Sequence, residues 1–317
     1  MRIAILDDIH QAYQRTAGLR RLRERAEVTI FTAPFGDPGV LRGFDALVAN
    51  RERTAFTRAL FEQLPALRIL AQTGNHAYHI DLAAAQERGV IVAKASGGFS
   101  TGAAELTIGL AIALMRNIAA GDAAVKSGGW PTPLGAELNG RTLGIVGLGH
   151  VGRHVAKIAG AFGMRVLAWR RAPDDGAAAR AGAEPAELDD LLREADVVSV
   201  HATLGPQTRG LLDARRIALM KPGAYLINTA RGPIVDEAAL VDALENRRIA
   251  GAALDVFDSE PLPRGHPLTR LPNVVLTPHL GWPTDRKYEQ FAAAVADVLL
   301  AHLDGREVPR FVGQHDA

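Results

Sequence analysis

Three polar residues in the second half of the chain have side chains suited to proton transfer and charge stabilisation. Arg231, Glu260 and His279 each follow a short apolar, strand-like stretch. Hydride reduction of a 2-keto acid needs a cation that orients the carboxylate and polarises the ketone, an acid that protonates the developing alkoxide, and a carboxylate that keeps this acid charged. Taken singly, each residue also fits an ordinary loop or turn position. Their occurrence as an ordered set favours a catalytic group.

A glycine-rich turn precedes these three residues in the chain. An apolar stretch ends in Gly147, Gly149 and Gly152 with the spacing Gly-x-Gly-x-x-Gly, and an alanine-rich helical pattern follows. Strand, glycine turn and helix in this order are typical of a site for a dinucleotide pyrophosphate, which the helix N-terminus attracts. Because His150 and Val151 lie inside the turn, we expect their backbone to belong to the same site. A tight turn without a ligand is the alternative.

The strand after this helix indicates which nicotinamide cofactor the chain prefers. NAD-binding folds usually end their second strand in an acid that holds the ribose hydroxyls. Here the strand at 166–169 ends in Arg170 and Arg171, and the first acids are Asp174 and Asp175. Arginine can pair with a 2′-phosphate but cannot accept from a 2′-hydroxyl. The sequence therefore favours NADP(H) over NAD(H), unless the two arginines are merely solvated loop charges.

Short apolar strands alternate with amphipathic helices along most of the chain, which predicts an α/β protein with parallel sheets. We expect two doubly wound domains: a flavodoxin-like substrate domain formed by residues 1–99 plus 285–317, and an inserted Rossmann dinucleotide-binding domain at 100–284. The cleft between them is the expected substrate site. The predicted strands are 3–6, 28–31, 46–49, 69–72, 90–93, 142–146, 165–169, 196–200, 224–228, 251–255 and 273–277.

Several helices are also predicted. The periodicity indicates a helix over 11–23 and a long one from 100 to about 126, with Ser100 or Thr101 as its N-cap. The alanine-rich segment 177–186 reads as a loop or short helix, and a final helix spans about 285–303.

Composition limits the function classes. The chain of 317 residues has 36 basic and 35 acidic residues, a net charge of +1 and no cysteine. The charge balance gives no drive toward nucleic acid or membranes, and thiol catalysis and disulfides are excluded. His76 and His79 lack an accompanying acidic ligand motif, so no metal site is expected. The N-terminus enters a strand pattern directly without a signal peptide, so we expect a cytoplasmic protein.

Seven segments in order resemble the D-isomer-specific 2-hydroxyacid dehydrogenases, of the glyoxylate/hydroxypyruvate reductase kind. They cover nearly the whole chain: 80–85, 104–107, 147–152, 220–222, 228–232, 253–257 and 277–279. The resemblance implies reduction of a 2-keto acid to a D-2-hydroxy acid by a homodimer joined through its dinucleotide domains, with the long helix near 100–126 at the interface. It assigns substrate orientation to Arg231, the acid/base role to His279 and its carboxylate partner to Glu260.

The same resemblance assigns further residues to the cofactor. Asp255 is similar to the family's contact to the nicotinamide amide, and Thr107 to a residue near the cofactor. Thr229 and Ala230, which precede the arginine, are expected beside the cofactor as well. From its position after the strand at 196–200, and not from the resemblance, His201 is expected on the adenine side of the cleft.

The substrate end departs from the family pattern. The family loop that binds the substrate carboxylate through backbone N–H groups usually reads Thr-Gly-x-Gly with an acid soon after. Here His76 replaces the second glycine and Tyr78 the acid, although Gly74 remains and Asn75 and His76 can still present N–H groups. We expect a bulkier, more polar pocket, which argues against the simplest substrates such as glyoxylate.

Three further residues are candidates for the substrate site. Arg51, in an Arg-x-x-Thr segment, supplies either a second cation or a solvated loop charge. Trp282 and Trp130 are candidate pocket walls, with ordinary packing favoured for Trp130.

Two alternatives remain open within this fold. Some relatives act on another oxyanion such as formate or phosphite, but the extra N-terminal residues of the formate enzymes are not seen here. Corepressor or scaffold relatives sense the cofactor and keep the same motifs. The absence of long tails favours the enzyme.

Overall fold

The computed structural model describes residues 1–98, 101–131, 133–172 and 174–311. The chain forms two compact units, the first built from Met1–Ser100 and Pro283–Ala317 and the second from Thr101–Trp282. The middle of the chain is thus inserted between two parts of the first unit.

The first unit is a five-stranded parallel sheet in the order β2-β1-β3-β4-β5. This is the order of flavodoxin-like folds, in which the strand order reverses between β1 and β3. Its strands are β1 (Arg2–Ile5), β2 (Glu27–Ile30), β3 (Ala46–Ala49), β4 (Ile69–Thr73) and β5 (Ile91–Ala95). Its helices are α1 (Ala17–Arg23), α2 (Arg58–Glu62), α3 (Leu82–Glu87) and, at the end of the chain, α11 (Asp285–Leu303).

The last helix completes the core of the first unit. In α11, Phe291, Val295 and Leu299 are fully buried. The helix packs on α1 so closely that a Cβ at Gly18 would collide with the carbonyl of Ala292. Because the apolar face of α11 covers the sheet, the C-terminal segment is an integral part of this unit.

The second unit is a seven-stranded parallel sheet in the order β12-β11-β10-β9-β6-β7-β8. This is the Rossmann order, and the reversal lies between β6 and β9. Its strands are β6 (Thr142–Val146), β7 (Arg165–Trp169), β8 (Glu184–Pro185), β9 (Val197–Val200), β10 (Tyr225–Asn228), β11 (Gly251–Leu254) and β12 (Val274–Leu276). Its helices are α4 (Gly102–Met115), α5 (Ile118–Lys126), α6 (His150–Ala161), α7 (Asp175–Arg180), α8 (Leu188–Glu194), α9 (Ala214–Ile217) and α10 (Glu237–Glu245).

The predicted fold class is confirmed, and each predicted strand is present with ends close to the predicted ones. One strand was missed. The alanine-rich segment 177–186 contains the end of α7 and also β8, whose two residues are too few to show a period.

Two predicted helices are wrong in extent. The helix expected over 11–23 is a short 3₁₀ turn followed by α1, because Thr16 is extended and its hydroxyl accepts from the amide of Leu19 as an N-cap. The long helix is two helices, since Asn117 has the left-handed φ of 55°. Thr101 makes no side-chain cap and instead donates to Glu105, and Ser100 lies outside the described residues.

The two halves of this broken helix meet at a bend of 63°. Within the described ranges no single helix is long and apolar enough to cross a membrane, although α4 and α5 together would pass by length and composition.

Candidate functional site

The glycine turn of the second unit has the geometry that a dinucleotide pyrophosphate requires. Gly147 has a φ of 107°, and a Cβ there would collide with the backbone of Ala202. At Gly152 a Cβ would lie 2.5 Å from the carbonyl oxygen of Gly147, so the helix can pack on the strand only with glycine. At Gly149, the N-cap of α6, a Cβ would meet nothing within 4 Å. The open space beside Gly149 at the N-terminus of a twelve-residue helix fits a bound phosphate.

Two threonines expected near the cofactor lie together. The hydroxyls of Thr107 on α4 and Thr229 after β10 are 2.8 Å apart, and Thr107 also donates to the carbonyl of Ala103. The next amide, of Ala230, donates to the side chain of Asn228. The loop after β10 is therefore fastened to both α4 and its own strand.

His201 follows β9, the strand beside the switch point. One of its ring nitrogens is 2.8 Å from the hydroxyl of Ser199, and burial lowers its pKa to about 4. It is thus neutral near pH 7, and its predicted position on the adenine side of the cofactor stays a prediction.

A cavity of about 290 Å³ lies at the carboxyl end of β7. Arg170, Arg171, Asp174 and Glu187 line it. Arg170 forms an ion pair of 3.1 Å with Asp174, and Arg171 donates to Gln207 at 3.0 Å. The pKa of Asp174 is lowered chiefly by its bond from the amide of Ala177 and further by the charge of Arg170. Positively and negatively charged side chains therefore lie together at the position expected for the ribose.

The three predicted catalytic residues include a direct hydrogen-bonded pair. Nδ1 of His279 lies 2.7 Å from Oε2 of Glu260, whose other oxygen accepts from the amide of Phe257 at 3.0 Å. Burial alone would raise the pKa of Glu260, but the bond from His279 and the charge of Arg231 are among the causes that hold it below its ordinary value. The carboxylate is consequently charged near neutrality, and Arg231 is near enough to contribute to this.

The loop that carries His279 is organised by the buried carboxylate of Asp255 at the end of β11. One oxygen accepts from the hydroxyl of Thr277 and the amide of Leu280, both at 2.6 Å, and the other from the amide of Gly281 at 2.9 Å. His279 has a φ of 55°, which is uncommon outside glycine and indicates a backbone held by its surroundings. Burial raises the pKa of Asp255 despite these three donors. The contact of Asp255 to the nicotinamide amide stays a prediction.

The loop that carries Arg231 is also tightly fitted. The side-chain amide of Asn228 donates to the carbonyl of Arg231, and a Cβ at Gly232 would collide with the backbone of Phe257. Glu260 and Arg231 are thus supported by neighbouring backbone segments. Trp282, the last residue of this unit, follows the loop of His279 directly and is half-buried.

In the first unit the predicted substrate loop contacts Arg51. Gly74 has a φ of 107°, and a Cβ there would collide with the guanidinium of Arg51. The backbone of Arg51, with a φ of 60°, is held by two fully buried side chains of β4: Thr73 accepts from its amide at 2.9 Å, and Gln72 donates to its carbonyl at 3.2 Å. Only 14% of the Arg51 side chain is exposed, which argues against an ordinary solvated loop charge.

His76 in this loop is fixed by an acid that the sequence reasoning missed. Oε2 of Glu52 lies 2.8 Å from Nε2 of His76 and 3.5 Å from Nε of Arg51. The His76 ring stacks on Tyr78 with centroids 5.0 Å apart. Burial lowers the pKa of the neighbouring His79 to about 4. In the part of the chain that the structure describes, the amides of Asn75 and His76 have no protein acceptor and no group of metal-ligating side chains occurs.

Two other residues were missed, and no pattern in the sequence points to them. Lys287 on α11 is 7% exposed although it is a lysine. Glu187, the N-cap of α8, lines the cavity at β7 because the tertiary structure brings α8 beside this strand. The acid Glu52 was detectable in principle, because it adjoins Arg51.

Comparison with known proteins places this geometry in a family. Residues 108–281 match the model of the D-isomer specific 2-hydroxyacid dehydrogenase NAD binding domain. The chain is 39% identical to a glyoxylate reductase of Thermofilum pendens over 94% of this chain and 91% of the relative. It is 41% identical to a D-3-phosphoglycerate dehydrogenase of Bacillus subtilis over 84% of this chain, but spans only 51% of that relative's length. A solved phosphoglycerate oxidoreductase of Vibrio cholerae is 34% identical with a TM-score of 0.87, covering 96% of this chain and 99% of that one.

The matched NAD binding domain and the named relatives define an oxidoreductase with a nicotinamide cofactor. The chain belongs to the D-isomer specific 2-hydroxyacid dehydrogenases, a family that acts on 2-keto and 2-hydroxy acids.

The support that Asp255 gives to the His279 loop can be tested with Asp255→Asn. The asparagine side chain has nearly the volume of aspartate, but an NH₂ donor replaces one acceptor oxygen. This donor faces the N–H groups of the loop and cannot accept hydrogen bonds from them. We expect kcat to fall by about 10- to 100-fold, as when other groups that orient a catalytic side chain are changed. Steady-state kinetics check this, and unchanged kcat would contradict the supporting role. Asp213→Asn, at an N-cap of the same unit, is the control.

Proposed function

We propose that the protein reduces a 2-keto acid to the D-2-hydroxy acid with a reduced nicotinamide cofactor. The observation that carries the proposal is the 2.7 Å pair of His279 and Glu260 on a loop ordered by Asp255. Family membership supports the reaction class, and the space beside Gly149 supports the cofactor.

The proton in this reaction is held by His279. Because Nδ1–H donates to the charged carboxylate of Glu260, the other nitrogen, Nε2, is the one that presents a proton to the ketone oxygen. The ionised carboxylate stabilises the positive charge that the imidazolium carries before the transfer. After the transfer the imidazole is neutral, and the reverse reaction uses it as a base.

Arginine side chains bind the negatively charged carboxylate of the substrate. Arg231 orients the carboxylate and polarises the ketone, and the bond from Asn228 to its carbonyl holds its backbone in place. Arg51 and the amides of Asn75 and His76 offer a second set of anion-binding groups in the first unit. Thr107, Gly149 and Thr229 would hold the cofactor, which would supply the hydride when bound.

The substrate is expected to be larger than glyoxylate. His76 stands where the family loop usually has its second glycine and Tyr78 where it has an acid, and the His76 ring stacks on Tyr78 and pairs with Glu52, so the substrate side chain meets polar and aromatic groups. The named glyoxylate reductases among the relatives make glyoxylate the necessary comparison.

The reaction is tested by loss of reduced-nicotinamide absorbance with glyoxylate, hydroxypyruvate, pyruvate, phenylpyruvate and branched 2-keto acids. We expect turnover that falls by about 10²- to 10⁴-fold in His279→Ala, the usual contribution of a general acid. His266→Ala is the matched control, because His266 forms a similar 3.0 Å pair with Glu237 in the same unit. Full activity in His279→Ala, or none with any keto acid in the unaltered protein, would refute the proposal.

We infer a preference for NADP(H). Arg170 and Arg171 line the cavity at the end of β7, where a 2′-phosphate would gain charge-assisted bonds. Asp174 is the competing group, since its charged carboxylate can accept from a ribose hydroxyl instead. A preference for NADP(H) therefore requires Arg170 to exchange its ion pair with Asp174 for an ion pair with the 2′-phosphate.

The cofactor preference is measured as the ratio of kcat/KM for NADPH and NADH. We expect the ratio to exceed one, and to fall by about 10- to 100-fold in Arg170→Ala because a bond to a charged group is lost. Arg193→Ala, another exposed arginine paired with an aspartate, should leave the ratio unchanged. A ratio below one in the unaltered protein would overturn this inference.

We also propose a homodimer formed through the helix α5 and the segment after it. No residue of α5 is buried within the chain, and Ile118 and Val125 are each 51% exposed. Beyond the helix, Trp130 is 84% and Leu134 98% exposed, so the packing role favoured for Trp130 from the sequence is not fulfilled within the chain. A second copy would cover these apolar side chains.

Light scattering after size exclusion tests the dimer. We expect twice the 33.8 kDa of one chain, and a shift to the single mass in the double variant Ile118→Glu with Val125→Glu, because charges replace the buried contact. The control is Phe162→Glu at the end of α6, which is 40% exposed and lies outside the α5 surface. A single-chain mass for the unaltered protein would refute the dimer.

A further inference from the structure

Lys287 has an environment that is unusual for a lysine. Its side chain lies on α11 in the first unit, only 7% of the residue is exposed, and its ammonium lies 4.2 Å from the centre of the Phe291 ring. Nζ donates to the carbonyl of Gly98 at 2.8 Å and makes longer contacts of 3.4 and 3.5 Å to the carbonyls of Gly97 and Ser96. A single ammonium thus faces three successive carbonyls.

The turn that Lys287 holds adjoins the substrate loop. Ser96, Gly97 and Gly98 follow β5 directly, and the carbonyl of Ala95 at the end of β5 accepts from the amide of Gly74 at 3.3 Å. A Cβ at Gly97 would lie 2.9 Å from the carbonyl of Gln290, so the turn is pressed against α11. Displacing this turn would displace the backbone to which the Gly74 loop is bonded.

The charge of Lys287 is not neutralised within the described residues. The ion pairs of the first unit do not include it, and the charged group that acts on it is Arg51, another cation. Burial, and secondly the charge of Arg51, lower the pKa of Lys287 to about 8. A buried ammonium without a carboxylate costs free energy unless an anion binds nearby.

We propose that Lys287 is a positioning residue that fixes the Gly74 loop through the turn 96–98 and adds a second positive charge, beside Arg51, to the site of the substrate carboxylate. The inference rests on the proposed function, in which Arg51 and the Gly74 loop supply a second set of groups, in addition to Arg231, that bind this carboxylate. Lys287 acts by holding the turn and through the electrostatic field of its ammonium, without touching the substrate. By reciprocity, an anion bound near Arg51 favours the protonated lysine, and the protonated lysine favours the anion.

The pH dependence follows from the lowered pKa. As pH rises through about 8, Lys287 loses its charge, so KM for the keto acid should rise while kcat changes little. The effect on folding has the opposite sign. Between about 8 and the ordinary value of 10.5 the unfolded chain binds more protons, so this group makes the fold more stable as pH increases. A loss of affinity above pH 8 is therefore not a loss of folding.

The test compares Lys287→Met, Lys287→Arg and the control Lys94→Met, whose lysine also lies over a phenylalanine ring, 5.7 Å from Phe311. KM and kcat are measured from pH 6 to pH 9.5 with the best keto acid. At pH 7 we expect KM about tenfold higher in Lys287→Met, with kcat unchanged. The rise of KM near pH 8 should be absent in both Lys287 variants, and Lys287→Arg should keep the low KM throughout. Lys94→Met should behave as the unaltered protein.

Thermal unfolding and a fourth variant separate the possible failures. Lys287→Met should be at least as stable as the unaltered protein at pH 7, because it removes a buried charge. If Arg51→Met raises KM but Lys287→Met leaves KM and its pH profile unchanged, this inference is overturned and the proposed substrate site stands. If neither variant changes KM, the second set of anion-binding groups proposed at Arg51 and the Gly74 loop is wrong as well, while the reaction proposed for His279 and Arg231 is still tested by His279→Ala.

Discussion

The hydrogen bonds to the buried carboxylate of Asp255 are the interactions on which the His279 loop depends. The carboxylate stands at the carboxyl end of β11 and gathers three donors from residues 277–281, which follow the neighbouring strand β12. A buried carboxylate is costly in isolation, and the three donors offset this cost. The result is a loop whose path is set by one side chain, with His279 in a left-handed conformation that the loop alone would rarely adopt. The imidazole then reaches Glu260.

The parallel sheets explain why such groups meet at all. In a parallel sheet the loops after neighbouring strands lie at one edge, so Asn228, Asp255 and Thr277 become neighbours although they are far apart in sequence. The first unit uses the same principle on a smaller scale. Gln72 and Thr73 end β4 as fully buried polar residues, and their bonds fix the backbone of Arg51 after β3.

The two units surround their buried charged side chains in different ways. Around Glu260, a cation and a donor keep a half-buried carboxylate ionised. Around Lys287 and Arg51, two cations lie near each other, and the acid Glu52 pairs with Arg51 and His76. The first arrangement suits proton transfer, and the second suits the binding of an anion.

The sequence by itself determined the fold class, the described strands except β8 and the glycine turn, and it predicted the set Arg231, Glu260 and His279. These depend on local signals: the period of apolar residues, the demand for glycine where backbone approaches backbone, and polar residues just after strands. It could not determine the break of the long helix at Asn117, because a left-handed residue leaves the apolar pattern nearly unchanged. Only the tertiary structure decided the role of Asp255 in ordering the loop, the attachment of His76 to Glu52 and the burial of Lys287. Each of these depends on which strands are adjacent and which helix covers them. The residues of one segment do not show which other segments pack against it in the folded protein.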